Sequence, residues 1–432
     1  VWAQGAGFER VETQIDLGAA SKKLDMSLKE NPDPLHGLSG YQVVEALPED
    51  TPGHRRMKTM LIRNCTYCHE ASTTLRDRFD ERGWESIVVA MSNGFSKTPK
   101  PLTPLQKELV GYLAEMRGPL ASPMKVRAHR PTGEATLPVV YEYDLPLDGG
   151  GYNVHEGSDW TYGPASTAGA GGGMHDATLD FNGNIWFTHT RESKTRTIGK
   201  VDSKTGKVTD FALPSGDGNR IARSHGIFRA HDGTLWFTAA IGKDIVTSIL
   251  GRVDPKTEKI EGFRPPEGMM LIGGWIGEDA NGFIWASGGG FSPPFGALRF
   301  DPKRGEFREV RSTQQKGMTY GVTGDRYGNG WGMGIVDDII GHSDIATGTV
   351  IETRLPVQPL NAFVKPGEVG DDMTTAGVGG KQAPRRPRAD HTTDDIWIPN
   401  FYGNTLIRLN ARTTQMRYYP LPSAGMNPYE TD

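Results

Sequence analysis

The only two cysteines of this chain of 432 residues stand three positions apart, directly before a histidine, in the sequence Cys65-Thr66-Tyr67-Cys68-His69. Two thiols at this spacing can each add to one vinyl group of a haem, and the adjacent imidazole can then bind the iron as proximal ligand. Both cysteines are used in this way and none is left over. The motif therefore predicts one covalent haem c, held by Cys65, Cys68 and His69.

Three other interpretations of the cysteine pair stay open, although they are weaker. A zinc site needs two further cysteine or histidine ligands at a suitable spacing, and the chain has no other cysteine. A redox-active dithiol is expected at the start of a helix that follows a strand, whereas the residues on both sides of this pair look helical. The third interpretation is a chance occurrence of the motif.

Three predicted helices surround the motif and would position it. Residues 54–64 form a short amphipathic run, and residues 81–92 place apolar side chains on one face at helical spacing. A third helix is predicted to begin after Thr103, which precedes a proline and forms a capping-box pattern with Gln106, and to end at Gly118. The pattern indicates a small all-α domain.

Residues 54–118 resemble the cytochrome c family in the pattern Trp84…Met91…Leu102-Thr103…Tyr112-Leu113-Ala114. The resemblance implies a mono-haem domain, which we place at residues 51–125, after an N-terminal segment of unclear structure at residues 1–50. It also implies that a methionine downstream of the motif is the sixth iron ligand, and Met91 occupies that place. Core packing is the other common role of a helical methionine. The alternatives to Met91 are Met57, Met60, Met116, a histidine or an open coordination position.

The rest of the chain is built from repeats that each carry a tryptophan after a turn. The first reads Asp180-Phe-Asn-Gly-Asn-Ile-Trp186-Phe, and related segments end in the tryptophans Trp236, Trp285, Trp331 and Trp397, at separations of 50, 49, 46 and 66 residues. A second marker of the type Ile198-Gly-Lys-Val-Asp202 and a third of the type Phe211-Ala-Leu-Pro214 follow in most units. Each unit therefore predicts four antiparallel strands.

Four-stranded units at intervals of about 45–50 residues are typical of a β-propeller, which we place at residues 135–432. The segment Val140-Tyr-Glu-Tyr-Asp-Leu-Pro146 has the pattern of an outer strand without a preceding blade, and residues 425–432 have the pattern of the opening of a further blade. Propellers avoid exposed sheet edges by pairing strands from both ends of the chain. We therefore expect six or seven blades, with the last part of the ring beyond Asp432.

The repeats resemble the virginiamycin B lyase, or streptogramin lyase, family, whose blades have the form Gly-x-Ile-Trp-Phe-Thr…Ile-Gly-Arg-Val-Asp. In that family, the resemblance implies, histidines and a glutamate act near a magnesium ion on one face. This chain offers His175, His225 and His391 at blade starts but no matching Glu-x-His pair. Lyase activity is therefore not expected. The three histidines are candidates for a second, divalent metal or for a general base, and their alternative role is hydrogen bonding to neighbouring backbone.

Two insertions interrupt the blade rhythm and are the remaining candidate sites. Residues 147–175 carry Asn153, His155, Asp159, Trp160, Tyr162 and His175, and residues 357–390 carry Asp371, Asp372, Lys381, Arg385, Arg386 and Arg388. The arginines of the second insertion are expected in a solvated loop, with a carboxylate or protein dock as the alternative. The recurring Asp202, Asp254 and Asp301 are expected to be structural turn residues.

The composition excludes several classes of partner. Lysine and arginine total 48 against 52 acidic residues, a formal charge of −4, so nucleic-acid binding is not expected. Apolar runs stay well below the ~18 residues that a membrane span needs. The segment Val1-Trp2-Ala3-Gln4-Gly5-Ala6 resembles the remainder of a signal-peptide cleavage region. Because haem c is attached outside the bacterial cytoplasm, a periplasmic or extracellular protein is expected.

The sequence thus favours a secreted electron-transfer protein whose propeller docks a redox partner protein. The first alternative is an oxidoreductase or lyase in which the propeller converts an unknown small molecule and passes electrons to the haem. The second is a non-catalytic subunit of a larger redox assembly.

Overall fold

The computed structural model describes most of the chain, as a mainly helical unit followed by a β unit. The residues outside this description are 6, 17, 19–20, 67–69, 94–99, 128–131, 140, 142, 144, 146–172, 215–220, 242–246, 290–292, 315–316, 357–381, 423–425 and 432. The candidates Cys68 and His69 lie outside the described residues, as do the named residues of the first insertion before residue 173. Asp371, Asp372 and Lys381 of the second insertion also lie outside them.

Five helices follow a short hairpin and a turn of 3-10 helix. The hairpin strands are β1 (Trp2–Ala3) and β2 (Val11–Glu12), the 3-10 turn is Pro34–Gly37, and the helices are α1 (Gly40–Ala46), α2 (Pro52–Cys65), α3 (Ala71–Leu75), α4 (Glu81–Asn93) and α5 (Pro104–Arg117). Helices α2, α4 and α5 contain the three runs predicted to be helical. Thr103 and Gln106 form the predicted capping box, in which each side chain accepts a hydrogen bond from the backbone N–H of the other, at 3.2 and 2.8 Å.

One hydrophobic core holds these helices together. It contains the fully buried Leu61, Trp84 and Leu113 from α2, α4 and α5, together with Leu35 and Val43 from the segment before α2. The indole of Trp84 donates to the carbonyl of Arg117 at 3.1 Å, which ties α4 to the end of α5. The core therefore begins near residue 35, and the predicted boundary at residue 51 lies inside the packed unit rather than at its edge.

In its described residues, the β unit contains five antiparallel four-stranded units in chain order; the first, second and fifth are separate sheets, and the third and fourth are joined edge to edge in one eight-stranded sheet. The first contains β3 (Met174–Leu179), β4 (Ile185–His189), β5 (Ile198–Val201) and β6 (Val208–Phe211). The second contains β7 (Arg223–Arg229), β8 (Leu235–Ile241), β9 (Thr247–Asp254) and β10 (Lys259–Phe263). The third contains β11 (Ile272–Glu278), β12 (Ile284–Gly288), β13 (Gly296–Asp301) and β14 (Glu306–Arg311). The fourth contains β15 (Gly321–Gly324), β16 (Gly330–Gly334), β17 (Ile339–Asp344) and β18 (Thr349–Arg354). The fifth contains β19 (Arg388–Ala389), β20 (Asp395–Asn400), β21 (Thr405–Asn410) and β22 (Met416–Pro420).

The five four-stranded units are arranged as the blades of a β-propeller-like domain. The first strand of each blade packs beside the first strand of the next, from β3 through β7, β11 and β15 to β19, so these strands line a central channel. The third and fourth blades also meet at their outer edges, where Arg311 and Thr349 form a parallel bridge. Each tryptophan repeat of the sequence corresponds to one blade, and a ring of six or seven blades stays a prediction.

Aspartates fix the turns and the tryptophans of the blades. The indole N–H of Trp186 donates to Asp180 at 3.0 Å, and Trp285 donates to Asp279 at 2.9 Å. The turn after the second marker is held by Asp202, whose carboxylate accepts from the backbone N–H groups of residues 204 and 205. Asp254 and Asp301 accept equivalent bonds, so the predicted structural role of these three aspartates is confirmed.

Glycines inside the strands make room for aromatic rings of the neighbouring strand. A Cβ atom placed on Gly199 would lie 2.1 Å from the ring of Phe187, and one on Gly251 would lie 2.1 Å from the ring of Phe237. Both pairs are directly opposite one another in the ladders. The glycine of the second marker is therefore needed for packing within the blade.

No helix in the described ranges is both long enough and apolar enough to cross a membrane.

Candidate functional site

Cys65 forms the last residue of α2, at the edge of the helical core. Its side chain packs against the core residues and carries a free thiol. Burial raises the pKa of this thiol to about 12, so it is protonated at neutral pH. A thiol in apolar surroundings at a helix end fits the first half of a thioether attachment site, since conversion to a thioether removes the ionisable group.

The four methionines considered as sixth iron ligands differ in burial. Met60 and Met116 are fully buried in the helical core, and Met57 is buried with them. Met91, on α4, leaves 51% of its surface exposed. Met91 can therefore bind an iron outside the core, whereas any of the other three could do so only if the core were disrupted. Met91 as axial ligand stays a prediction.

The motif segment lies against the propeller-like domain. The Asn427 side-chain amide donates to the hydroxyl of Thr66, inside the motif, at 3.0 Å. One helical turn earlier, Ile62 packs against an apolar cluster of the β unit that includes Tyr320, Phe401 and Tyr402. The end of α2 is thus one of the places where the two units touch.

A second candidate site lies at the start of the inner strands, in the channel. His175 and Asp176 are neighbours on β3, and His225 lies on β7, with the two imidazole rings 3.8 Å apart between centroids. His175 Nδ1 lies 2.9 Å from Asp176 Oδ1, and His225 Nδ1 lies 2.9 Å from the carbonyl oxygen of Gly274. One potential ligand atom from each of the three side chains lies within 4.8 Å of the others.

The electrostatics of this group favour a metal ligand set. Burial, with a further contribution from His175, lowers the pKa of His225 to about 4, which leaves its imidazole neutral. Burial alone would raise the pKa of Asp176, but the hydrogen bond with His175 and the charge of Arg386 hold it below its usual range. A neutral imidazole with one nitrogen occupied by a backbone carbonyl presents the other nitrogen to a cation.

The sequence prediction of three blade-start histidines is thus only partly met. His175 and His225 come together within β3 and β7. His391 lies instead just after the end of the inner strand β19. Its Nε2 atom lies 3.0 Å from the carbonyl oxygen of Gly324, and its ring is 5.0 Å from that of His231. The backbone-bonding alternative therefore describes His391, and it also describes one nitrogen of His225.

The arginines of the second insertion require a correction. Arg385 and Arg386 are buried, with 3% and 1% of their surface exposed, so they do not lie in a solvated loop. The guanidinium of Arg386 lies 4.1 Å from the ring centroid of Trp275, and that of Arg385 lies 4.1 Å from that of Phe401. Pairing with aromatic faces and carboxylates compensates the burial of these charges.

Arg386 connects the histidine cluster to the C-terminal segment. Its Nη1 atom donates to Asp176 Oδ1 at 2.7 Å and to Glu430 Oε2 at 3.2 Å. Next to Glu430, the hydroxyl of Tyr429 is hydrogen-bonded to that of Tyr320. Burial raises the pKa of the Glu430 carboxyl, against the opposing effect of Arg386.

Sequence reasoning missed Asp176, Trp275, Glu430 and the buried role of Arg386. Asp176 could have been found, because it follows His175 directly and carboxylates commonly accompany metal-binding histidines. The other three come from distant repeats and from the C-terminal segment, and only the ring arrangement brings them to one place.

Scans against models of known families and a search of curated proteins give no match. Among solved structures, this chain is similar to virginiamycin B lyase from Staphylococcus aureus, with 19% identity and a TM-score of 0.43 over 60% of this chain and 73% of that one. It is also similar to a streptogramin B lyase, with 18% identity and a TM-score of 0.42 over 62% and 74% of the two chains. A gluconolactonase from Xanthomonas campestris has 13% identity and a TM-score of 0.34 over 52% and 69%.

Proposed function

We propose that this chain is an exported mono-haem c-type cytochrome that transfers electrons, with the propeller as the docking platform for a redox partner protein. The observation that carries the proposal is the Cys65-Thr66-Tyr67-Cys68-His69 sequence, whose first cysteine ends α2 on a small helical core. The contact between Thr66 and Asn427 adds a reason for the propeller to take part, since it joins the motif to the β unit.

Each group of the motif has a separate task in this proposal. Cys65 and Cys68 would hold the haem through thioethers, and His69 and Met91 would bind its iron. The haem supplies a one-electron couple between ferrous and ferric iron. The core around Leu61 and Trp84 holds α2, which carries Cys65, against α4, which carries Met91, so these two side chains would keep their places during electron transfer.

The test is covalent haem attachment in a bacterial host that matures c-type cytochromes in its periplasm. The exported native chain is expected to keep its haem through denaturing electrophoresis, as detected by haem peroxidase staining. Cys65→Ser combined with Cys68→Ser removes both thioether positions and is expected to lose the stain. Thr66→Ser, inside the motif but with its hydroxyl kept, is the matched control. An exported native chain without covalent haem would contradict the proposal.

A second candidate function is a metal-assisted oxidoreductase, in which the channel site converts a small molecule and passes electrons to the haem. It is favoured by the convergence of His175, Asp176 and His225. Two imidazoles and a carboxylate suit zinc and other divalent first-row metals.

Elemental analysis of the purified protein separates the two candidate functions. The second predicts one divalent metal beside one iron, lost in His175→Gln and in His225→Gln but kept in His391→Gln, because His391 lies outside the cluster. Iron alone in the native protein would favour the electron carrier, or the non-catalytic subunit of a redox assembly.

A further inference from the structure

The channel contains an arginine whose hydrogen-bonding capacity is only partly used. Arg386 is 1% exposed, and its Nη1 atom serves both Asp176 and Glu430. Its Nε and Nη2 atoms are buried and have no hydrogen-bond partner within the described part of the chain. These two nitrogens form the edge of the guanidinium that binds a carboxylate or phosphate with two parallel hydrogen bonds.

A second unused donor lies next to it. The ring of Trp275 is 4.1 Å from the Arg386 guanidinium, and the Trp275 side chain is itself buried. Among the described residues, its indole N–H has no acceptor. Buried donors without acceptors are costly to leave unmet, so this part of the channel is short of hydrogen-bond acceptors.

Glu430 shows which chemistry the site accepts. Its carboxylate lies between two arginines, with Oε2 at 3.2 Å from Arg386 Nη1 and Oε1 at 3.7 Å from Arg388 Nη2. A small cavity of about 50 Å³ adjoins this carboxylate on its Arg388 side and is lined also by Arg388, Thr178 and Phe228; Arg386 and Trp275 do not line it. A space of this size holds about three water molecules, or an anion of four or five heavy atoms.

We propose that Arg386 and Arg388 form a binding site for a small oxyanion, a carboxylate or phosphate group, in the propeller channel. Glu430 occupies this site in the native chain, and the bound anion takes over its contacts with Arg386 Nη1 and Arg388 Nη2. The site adjoins the histidine cluster through Asp176, which Arg386 contacts. Neither haem nor a metal ion is needed for the anion to bind, so the site is independent of both proposed functions.

The test is calorimetric titration of the full chain with sodium phosphate and, separately, with sodium acetate, in chloride buffer at constant ionic strength and without added divalent metal. Glu430→Gln removes the competing charge and is expected to bind at least one of the two anions about tenfold more tightly than the native chain. Tighter acetate binding identifies a carboxylate ligand, and tighter phosphate binding identifies a phosphate ligand.

Two further variants serve as controls for this test. Glu261→Gln is the matched control, because Glu261 also lies between two cations, Arg252 and Lys259, but on an outer strand. It is expected to bind the anions as the native chain does. Arg388→Gln in the Glu430→Gln background is expected to lose the gain, and it leaves Arg386 paired with Asp176, so the fold is kept. The proposal is overturned if Glu430→Gln and Glu261→Gln behave alike, or if the gain survives the loss of Arg388.

Discussion

Single side chains decide the chemistry of the proposed haem, and the methionines show how. We predict that Met91→Leu opens the sixth coordination position, because it removes the sulfur and keeps the volume of the side chain. The dithionite-reduced variant is expected to bind carbon monoxide at least tenfold more tightly than the native protein, measured by the shift of its haem absorption spectrum.

Met116→Leu is the control for this prediction. Met116 is fully buried in the core, so its replacement should leave carbon monoxide binding unchanged. If the native protein binds carbon monoxide as readily as the Met91→Leu variant, the iron has an open or differently occupied sixth position and Met91 is not a ligand.

His54 gives the helical unit a pH dependence that belongs to one residue. Its Nδ1 and Nε2 atoms lie 2.5 Å from Asp50 and 3.1 Å from Glu115, and these hydrogen bonds raise the pKa of His54. A raised pKa in the folded state contributes stability below the ordinary value of 6.5, and this contribution is lost as the pH rises through the raised value. Above this pH range, the helices should therefore unfold at a lower temperature.

The matched comparison uses two variants of the same helix pair. His54→Gln is expected to flatten the pH dependence, measured by circular dichroism melts between pH 5 and 9. Glu108→Gln breaks the Arg56–Glu108 pair between α2 and α5 without a titrating histidine. It should change stability by at most about 1 kcal/mol and leave the pH dependence intact. An unchanged profile in His54→Gln would assign the dependence to another group.

At the residue scale, the sequence predicted sites formed by neighbouring residues and missed sites formed by residues that only the fold brings together. The spacing of Cys65 and Cys68 is a property of five consecutive residues, so no fold is needed to recognise it. His175 and His225 were found because the repeats mark blade starts. His391 was predicted on the same ground, but it lies in the turn after β19, whereas His175 and His225 lie within β3 and β7. Arg386 was expected in solvent because a charged run in an insertion usually lies there.

At the scale of elements, some strand positions require glycine as strictly as others require tryptophan. Gly251 on β9 faces Phe237 on β8, and we predict that Gly251→Ala forces the ring out of its place. Overpacking of this kind costs about 1–3 kcal/mol. The expected result is a lower unfolding midpoint in guanidinium chloride, followed by tryptophan fluorescence.

Two variants control for a general effect of a new methyl group. Gly251→Ala combined with Phe237→Leu should recover part of the loss, because the smaller side chain vacates the space. Gly111→Ala on α5 has no atom near the new methyl group and should stabilise its helix by about 0.5–1 kcal/mol. A Gly251→Ala chain as stable as the native one would show that the blade relaxes around the methyl group.

The elements themselves could largely be predicted from periodicity and turn residues. Helix α5 begins where Thr103 and Pro104 predict it, because a cap is a local hydrogen-bonding requirement. Strand β14 (Glu306–Arg311) lacks the third marker and takes its place in the ladder from its pairing with β13. Strand β17 contains Ile340-Gly341-His342-Ser343-Asp344, a variant of the second marker, and it pairs with β16 and β18 as that marker predicts.

At the scale of the whole molecule, the C-terminal segment joins the two units. It pairs with Arg386 in the channel through residues 429–431, and its Asn427 reaches Thr66 inside the cysteine motif. Ile62 adds an apolar contact to the same boundary. The sequence contained no sign of this arrangement, because Thr66 occupies a motif position with no role in haem attachment, Asn427 belongs to no tryptophan repeat, and the two residues are 361 positions apart.

We predict that this boundary couples the unfolding of the two units. In the native chain, helical circular dichroism and tryptophan fluorescence, which comes mainly from the β unit, should change in a single thermal transition. Asn427→Ala with Ile62→Ser removes the hydrogen bond and part of the apolar contact, so the two signals should separate, with the helices melting first. Asn182→Ala, in the exposed turn between β3 and β4, serves as the control and should keep one transition. Two transitions already present in the native chain would mean that the contact carries little energy. The propeller would then be only a neighbour of the motif, without the fixed position that a docking platform for electron transfer requires.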